Sequence, residues 1–306
     1  MEGSPTLTVG SALTMASDRL GRSGSESARL DAELLLGHVL RVERTTLLAH
    51  PEAPVGSDHA SAFDAFVGRR AAGEPVAFIR GFKEFYGIAL HVDARVLIPR
   101  PETETLVDLA LERIRGELTS RPRPADAPPY LTWDMGTGSG AVAIALATEL
   151  RRRRYGDAVA FHLSDVSADA LSVALENAVS HGVADVMVFA TGDLTEVSPP
   201  PGRAVDLLVA NLPYIPSPAT ADLPVAASFE PWTALDGGPD GLEIIRRLLL
   251  HLPPVLTPEG MALLEIGSDQ AEAVGAAAAA ALPGWRVTIQ PDLGGAARVA
   301  RVEHAE

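Results

Sequence analysis

The sequence predicts an α/β fold built on a doubly wound parallel sheet, and three features carry that expectation. Apolar runs near 131–134, 158–163, 185–190, 205–210 and 260–266 alternate with helical patterns at 140–153, 167–180 and 240–252. This strand–helix rhythm is the one that covers both faces of a parallel sheet with helices. A glycine-rich turn, Gly136-Thr137-Gly138-Ser139-Gly140, joins the first of these strands to an alanine-rich helix. Finally, 306 residues exceed the usual single domain, so a smaller domain is expected beside the large one.

Taken in order, residues 27–40 place Leu30, Leu34, Leu35 and Val39 at helical spacing, and residues 58–72 repeat the pattern around Phe63, Phe66 and Val67. A small helical domain is therefore expected over residues 1–75, ended by Gly73-Glu74-Pro75. The β-favouring runs VAFIRG and FYGIALHV predict a β-hairpin linker over 76–98. The remainder, 99–306, holds the large domain. It begins with a helix from about Glu102 to Glu117, and the proline-rich stretch 121–129 that follows is expected as an exposed loop. Arg151 to Arg154 read as a solvated helix end, and the alanines at 276–281 extend a helix.

Composition excludes several classes of function. A formal net charge of −15 disfavours direct binding to nucleic acid, which draws its free energy from Lys and Arg on phosphates. There is no uninterrupted apolar run of about 18 residues to span a membrane. The first residues lack a basic start followed by an apolar block, and no cysteine offers a disulfide framework, so a cytoplasmic location is expected. The eight histidines show no metal-ligand spacing, and no nucleophile–base pair stands out. Oligomeric state has no signature here.

A cofactor is expected at the glycine turn. Gly136, Gly138 and Gly140 permit close backbone approach and positive φ, while the following helix N-terminus presents N–H groups to a polar ligand. Thr137 and Ser139 lie between them. Asp165, ending the second strand, sits where a carboxylate accepts from ribose hydroxyls; its other reading, shared with Ser167, is a helix cap. The acid fits either a nicotinamide dinucleotide or S-adenosylmethionine, but GTGSG lacks the third glycine of GxGxxG, which favours S-adenosylmethionine. Asp193, with Leu194 beside it, ends the next strand and is a candidate acceptor for an adenine amino group, or else a solvated turn residue.

The reactive end is predicted at Asn211-Leu212-Pro213-Tyr214, which follows a buried strand at 205–210. Strand carboxyl ends are where open α/β sheets bind ligands. An amide nitrogen is a poor nucleophile, whereas a sulfonium is already a strong electrophile, so positioning must supply most of the catalysis. Asn211 is able to accept an N–H from a target amide and donate to its carbonyl. The carbonyl of Leu212 or Pro213 offers a second acceptor, and Tyr214 packs against the flat amide face.

These segments carry a likeness. RRAAGEPVAFIRGFKEFYG (69–87), VLIPRPETETLVDLAL (96–111), DMGTGSGAVAIALA (134–147), NLPYIP (211–216), ALDGGPDGLEIIRRLL (234–249) and LLEIG (263–267) resemble, in order, the blocks of the PrmC/HemK family of peptide release factor glutamine methyltransferases. The resemblance implies a helical domain that grips the release factor, a β-hairpin linker, and a seven-stranded class I methyltransferase sheet holding S-adenosylmethionine. It also implies methylation of a glutamine in a Gly-Gly-Gln motif, with Asn211 to Tyr214 as the glutamine pocket and Arg100, Pro101 and Thr103 on the cofactor side. One position departs from the family tetrapeptide Asn-Pro-Pro-Tyr: its second residue here is Leu212. A residue before proline is confined to extended conformations, which keeps the backbone carbonyl pointing as the family requires. Alternative readings are a paralogue acting on a small metabolite or another protein, an RNA adenine methyltransferase with the Asn-Leu-Pro-Tyr motif, and a non-catalytic cofactor-binding partner.

Overall fold

The computed structural model describes residues 7–121, 123–124, 126–197 and 203–305. Five helices occupy the stretch from Val9 to Arg80: α1 (Val9–Arg22), α2 (Ala28–Leu40), α3 (Arg44–Ala49), α4 (Ser57–Ala71) and α5 (Val76–Arg80). At the start of α1 the Thr8 hydroxyl accepts from the Ser11 amide while the Ser11 hydroxyl accepts from the Thr8 amide, a reciprocal capping box.

The spacing of Leu30, Leu34, Leu35 and Val39 finds helix α2 but misses its inward face. Leu30 is 41% exposed, whereas Ala32, Leu35 and Leu36 are sealed among Leu13, Leu20, Phe63 and Val67. The face turns because two carboxylates also lie inside. Asp31 is held by Arg70 at 2.7 Å, and Glu33 by Arg29 at 2.6 Å and Arg44 at 2.5 Å. A buried carboxylate is tolerated only when paired in this way.

The run VAFIRG departs from its β expectation, since residues 76–80 form α5. Pro75 precedes it with the Phe78 and Ile79 amides on its carbonyl, and Gly81 closes it in a left-handed conformation. Burial of Ile79 outweighs the β preference of the isolated residues. The hairpin is shorter than the sequence suggests, comprising β1 (Phe82–Phe85) and β2 (Ile88–His91). By internal contacts, the described residues up to Phe82 with Pro224–Phe229 make one unit, and Lys83–Leu223 with Glu230 onward make the other.

The second unit is an open sheet. Its further elements are α6 (Glu104–Ser120), β3 (Tyr130–Met135), α7 (Ala141–Arg152), β4 (Val159–Asp165), α8 (Ala168–Ser180), β5 (Met187–Thr191), β6 (Val205–Ala210), α9 (Glu243–His251), β7 (Leu256–Glu265), α10 (Ala271–Ala281), β8 (Trp285–Pro291) and β9 (Ala297–His304). Within the proline-rich stretch 121–129, Pro122 and Ala125 lie outside the described residues.

Strand order is β5-β4-β3-β6-β7-β9-β8, parallel from β5 through β7. The expectation of a parallel sheet needs one amendment, because β9 runs antiparallel to both β7 and β8. Asp292 folds the intervening turn by accepting from the amides of Gly294 and Ala296, so β9 enters as the return arm of a hairpin rather than through a helical crossover.

Alternate residues of each strand face opposite ways. Phe161, Leu163, Leu207 and Val209 pack with α6 and α7 on one face, and Leu131, Trp133, Leu208 and Ala262 pack with α9 and α10 on the other. No helix among the described residues is long and apolar enough to cross a membrane. Ile144 is fully sealed in the first of these cores. Ile144→Ala is expected to cost about 2–5 kcal/mol in chemical denaturation, through lost burial plus a cavity.

Candidate functional site

Neighbouring strands β4, β3 and β6 end at the point where the winding of the sheet reverses, with β4 and β5 following outward on one side and β6 and β7 on the other. That is the ligand-binding position of an open α/β sheet. Asp134, Asp165 and Asn211 are delivered there by β3, β4 and the exit from β6. The cleft between these ends is lined by Thr103, residues 136–139, Asp165, Asp193, Leu194 and residues 211–213, all singled out in the sequence. It is also lined by Arg95, Pro99 and Val166, which were not.

The glycine turn is fastened to β4 by two amides, Gly136 at 2.9 Å and Thr137 at 3.0 Å, on the Ser164 carbonyl. Asp134 is buried beneath it, accepting from the Thr137 hydroxyl at 2.7 Å and the Ala143 amide at 3.2 Å. Burial pushes its carboxyl up to about 6; the Thr137 and Ala143 donors oppose the rise and the charge of Asp165 adds to it. Asp165 accepts from the Gly138 amide and the Ser167 amide, both at 2.9 Å, so it clips the glycine turn to the start of α8. Burial also raises its pKa against these donors. Ser167 does cap α8, with its hydroxyl accepting from Ala170.

Gly138 has φ +55 and open space where a side chain would project. The first turn of α7 reaches the cleft at Ala141 and Val142. A shallow backbone cradle beside a carboxylate with spare lone pairs fits a ligand that carries hydroxyl donors, as an adenosine ribose does. Asp193 lies at the rim with its carboxylate on Arg247 at 2.5 Å. Among the described residues that form the lining, Arg100, Pro101, Gly140 and Tyr214 are not found. Arg100 pairs instead with Glu230 at 2.6 Å, Pro101 is exposed, and Gly140 is the N-cap of α7.

The tetrapeptide is held from several sides. Asn211 Nδ2 donates to the buried Thr103 hydroxyl at 3.1 Å. Leu212 is buried, and its Cδ2 lies 2.8 Å from where a Cβ on Gly136 would sit, so its side chain covers the glycine turn. The residue that departs from the family tetrapeptide thus packs onto the glycine turn. The Pro213 carbonyl oxygen lies against Gly237, 2.7 Å from the position of a missing Cβ, and the Tyr214 carbonyl accepts from Gln270 Nε2 at 2.9 Å. Backbone bonds Ile215 N to Leu235 O and Gly237 N to Ile215 O zip residues 235–241 onto the exit of the tetrapeptide.

Sequence reasoning missed Glu265. It ends β7, is almost fully buried, and accepts from the Tyr214 hydroxyl at 3.5 Å; its Oε2 has no hydrogen-bond partner among the described residues. Burial raises its carboxyl to about 7, with the Thr103 hydroxyl, Arg298 and Tyr214 pulling down and Glu102 pushing up. The Tyr214 phenol is pushed up to about 12, chiefly by burial, and stays neutral. The available signal was an acid at the end of an otherwise apolar strand, in LLEIG.

Residues 11–81 match the family model described as the PrmC N-terminal domain. The chain is 41% identical over 268 residues to the release factor glutamine methyltransferase of Moorella thermoacetica, covering 88% of each chain. It is 37% identical to the protein of the same name from Deinococcus radiodurans, over 96% of this chain and 97% of that one. Among solved structures, the hMettl16 catalytic domain in complex with a MAT2A 3′UTR hairpin superimposes with a TM-score of 0.55 at 15% identity, covering 78% of this chain and 80% of that one. That likeness is one of fold.

A carboxyl raised from 3.8 to about 6 by folding makes the folded state bind the extra proton between those values, so stability falls as pH rises through that window and is level above it. Asp134→Asn keeps an acceptor for Thr137 and Ala143 without the charge. Its stability relative to the wild type is expected to improve by about 3 kcal/mol between pH 4 and pH 7 in denaturant titrations. A difference independent of pH would show that folding leaves the Asp134 pKa unchanged.

Proposed function

The chain belongs to the release factor glutamine methyltransferases, and on that premise we propose that it methylates the side-chain amide of a glutamine in a peptide chain release factor at the Asn211 cleft. The observation that carries the reading is Asn211 itself. Its carboxamide lines the cleft beside the glycine turn, with Nδ2 on Thr103 and Oδ1 free of any hydrogen bond among the described residues. A carboxamide so held presents an acceptor to the N–H of a second carboxamide.

S-adenosylmethionine, the cofactor of this family, supplies a methyl group already activated on a sulfonium. Asp165 and residues 136–139 of the glycine turn are the residues to hold it, with Asp193 and Leu194 at the rim. The task left to the chain is orientation. Asn211 Oδ1 takes one target N–H, and the backbone carbonyl of Leu212 or Pro213 takes the other. With both N–H groups engaged, the nitrogen lone pair is turned to the cleft. The nitrogen sheds one proton to water as its bond to carbon forms, so no residue with a base-like pKa is required beforehand.

The helical domain at the start of the chain and the short hairpin of 82–91 serve to present a glutamine of the release factor, in a Gly-Gly-Gln loop, to the methyltransferase domain of 99–306. A protein substrate of this kind goes with a cytoplasmic address. The net charge of −15 supports a protein acceptor over a nucleic acid.

Incubation with labelled S-adenosylmethionine and purified release factor is expected to label one glutamine. Label on RNA or on metabolites, with none on the release factor, would refute the proposal. Asn211→Ala is expected to lower kcat by roughly 100-fold or more while cofactor affinity by calorimetry stays nearly constant. Loss of cofactor affinity instead would move Asn211 from substrate to cofactor.

A further inference from the structure

The glycine turn is gripped at one further point, from helix α8. Asn177 is 1% exposed, and its carboxamide faces three backbone groups from two distant segments. Oδ1 accepts from the His91 amide at 2.7 Å, while Nδ2 donates to the His91 carbonyl at 3.0 Å and to the Ser139 carbonyl at 2.9 Å. A backbone amide only donates and a carbonyl only accepts, so a flipped carboxamide would set like against like at all three contacts. The orientation is therefore fixed. Ala174, one turn earlier on α8, presses the same part of the chain, with its Cα 3.4 Å from where a Cβ on Gly140 would sit.

The peptide plane between Ser139 and Gly140 is held at both ends, its carbonyl on Asn177 and its amide on the Thr137 carbonyl at 2.8 Å. Helix α7 begins one residue later, and its first turn reaches the cleft at Ala141 and Val142. Because a peptide unit is rigid, a tilt of that plane moves the end of the glycine turn and the start of the helix together.

The other two bonds hold His91, the last residue of β2. From there the chain passes a tight turn in which the Asp93 carboxylate accepts from the Arg95 amide at 2.9 Å and the Asp93 carbonyl accepts from Val96 at 3.1 Å. Arg95, Val96, Leu97 and Pro99 then line the cleft. One buried side chain thus joins the glycine turn to the start of a second stretch of cleft wall.

We propose that Asn177 is a positioning residue for S-adenosylmethionine: it sets the Ser139 end of the glycine turn against the segment leaving β2, and so fixes the spacing of two walls of the cofactor site. The inference rests on the reading of the glycine turn as the cofactor-binding element. Asn177 is not among the residues lining the cleft and acts through Ser139 and His91.

The test measures S-adenosylmethionine affinity by calorimetry in the full chain. Asn177→Ala removes all three bonds, Asn177→Asp keeps an acceptor for the His91 amide but loses both donors, and Asn177→Ser is the mildest change. Each folded variant is expected to bind S-adenosylmethionine roughly 10-fold or more weakly. Two controls separate this from a merely structural role. His181→Ala removes another tie from α8 to β2, in which Nε2 lies 2.8 Å from the Ala89 carbonyl, and Leu249→Ala opens the core under α9. Both are expected to keep affinity within about threefold of the wild type, because loss of stability alone does not alter the affinity of molecules that remain folded. Affinity within about threefold in the folded Asn177 variants, or a loss in either control equal to theirs, overturns the inference.

Asp165→Ala separates the inference from the reading beneath it, and no turnover is needed. Weakened binding in Asp165→Ala with normal binding in the Asn177 variants removes the positioning role and leaves the glycine turn as the cofactor site. Normal binding in both removes that site as well.

Discussion

The Ser164 carbonyl accepts two consecutive amides, those of Gly136 and Thr137, and much of the site depends on that double bond between strand β4 and the turn leaving β3. It sets the left-handed path of the turn. That path brings Thr137 over Asp134, turns the Gly138 amide to Asp165, and exposes the face of Gly136 that Leu212 covers. The glycine turn and the tetrapeptide are thereby parts of one packed object. A shift of either strand would reach Asn211 through Leu212, because close-packed interiors transmit small displacements.

Much of this was legible from residue order alone. The alternation of apolar runs located five strands and the helices between them, because each run must bury itself on both faces of a parallel sheet and so loses its polar alternation. The inward face of α2 was not legible, since Asp31 is paired to an arginine far along the chain, and spacing carries no trace of Arg70 reaching it. Residues 76–80 misled for a related reason: Val and Ile favour strands in isolation, whereas Pro75 and Gly81 bracket a single helical turn. The β8–β9 hairpin also escaped, as β8 is only half-buried and β9 mixes its buried Val299, Ala300 and Val302 with arginines, so neither reads as an apolar run.

Within the site, glycines and strand-end acids stood out because their chemistry is local. Arg95 and Pro99 did not, because a residue ahead of a helix gains its place in a cleft only through the fold. Glu265 was hidden by its company, a lone acid among leucines that reads as a strand end. Its hydrogen-bond partner Tyr214 is separated from it by a long stretch of chain. Asp134, Asp165 and Glu265 form a row at the carboxyl end of the sheet, each with its charged form disfavoured by burial. The fold carries that cost where a polar ligand can relieve it, a common placement for strain in binding sites.

The segment 235–241 closes over the tetrapeptide with no room for a side chain at Gly237 or Gly241. A Cβ on Gly237 would meet Pro213 O and Tyr214 Cα at 2.7 and 2.8 Å, and one on Gly241 would meet Tyr214 O at 2.3 Å. Anyone transplanting Asn-Leu-Pro-Tyr to another sheet of this kind would therefore move only half of the device. The four residues hold their shape because a second strip of nearly bare backbone is pressed onto them from outside. The transferable unit is the pair of strips, together with the leucine-over-glycine contact that keys it to the loop on the neighbouring strand.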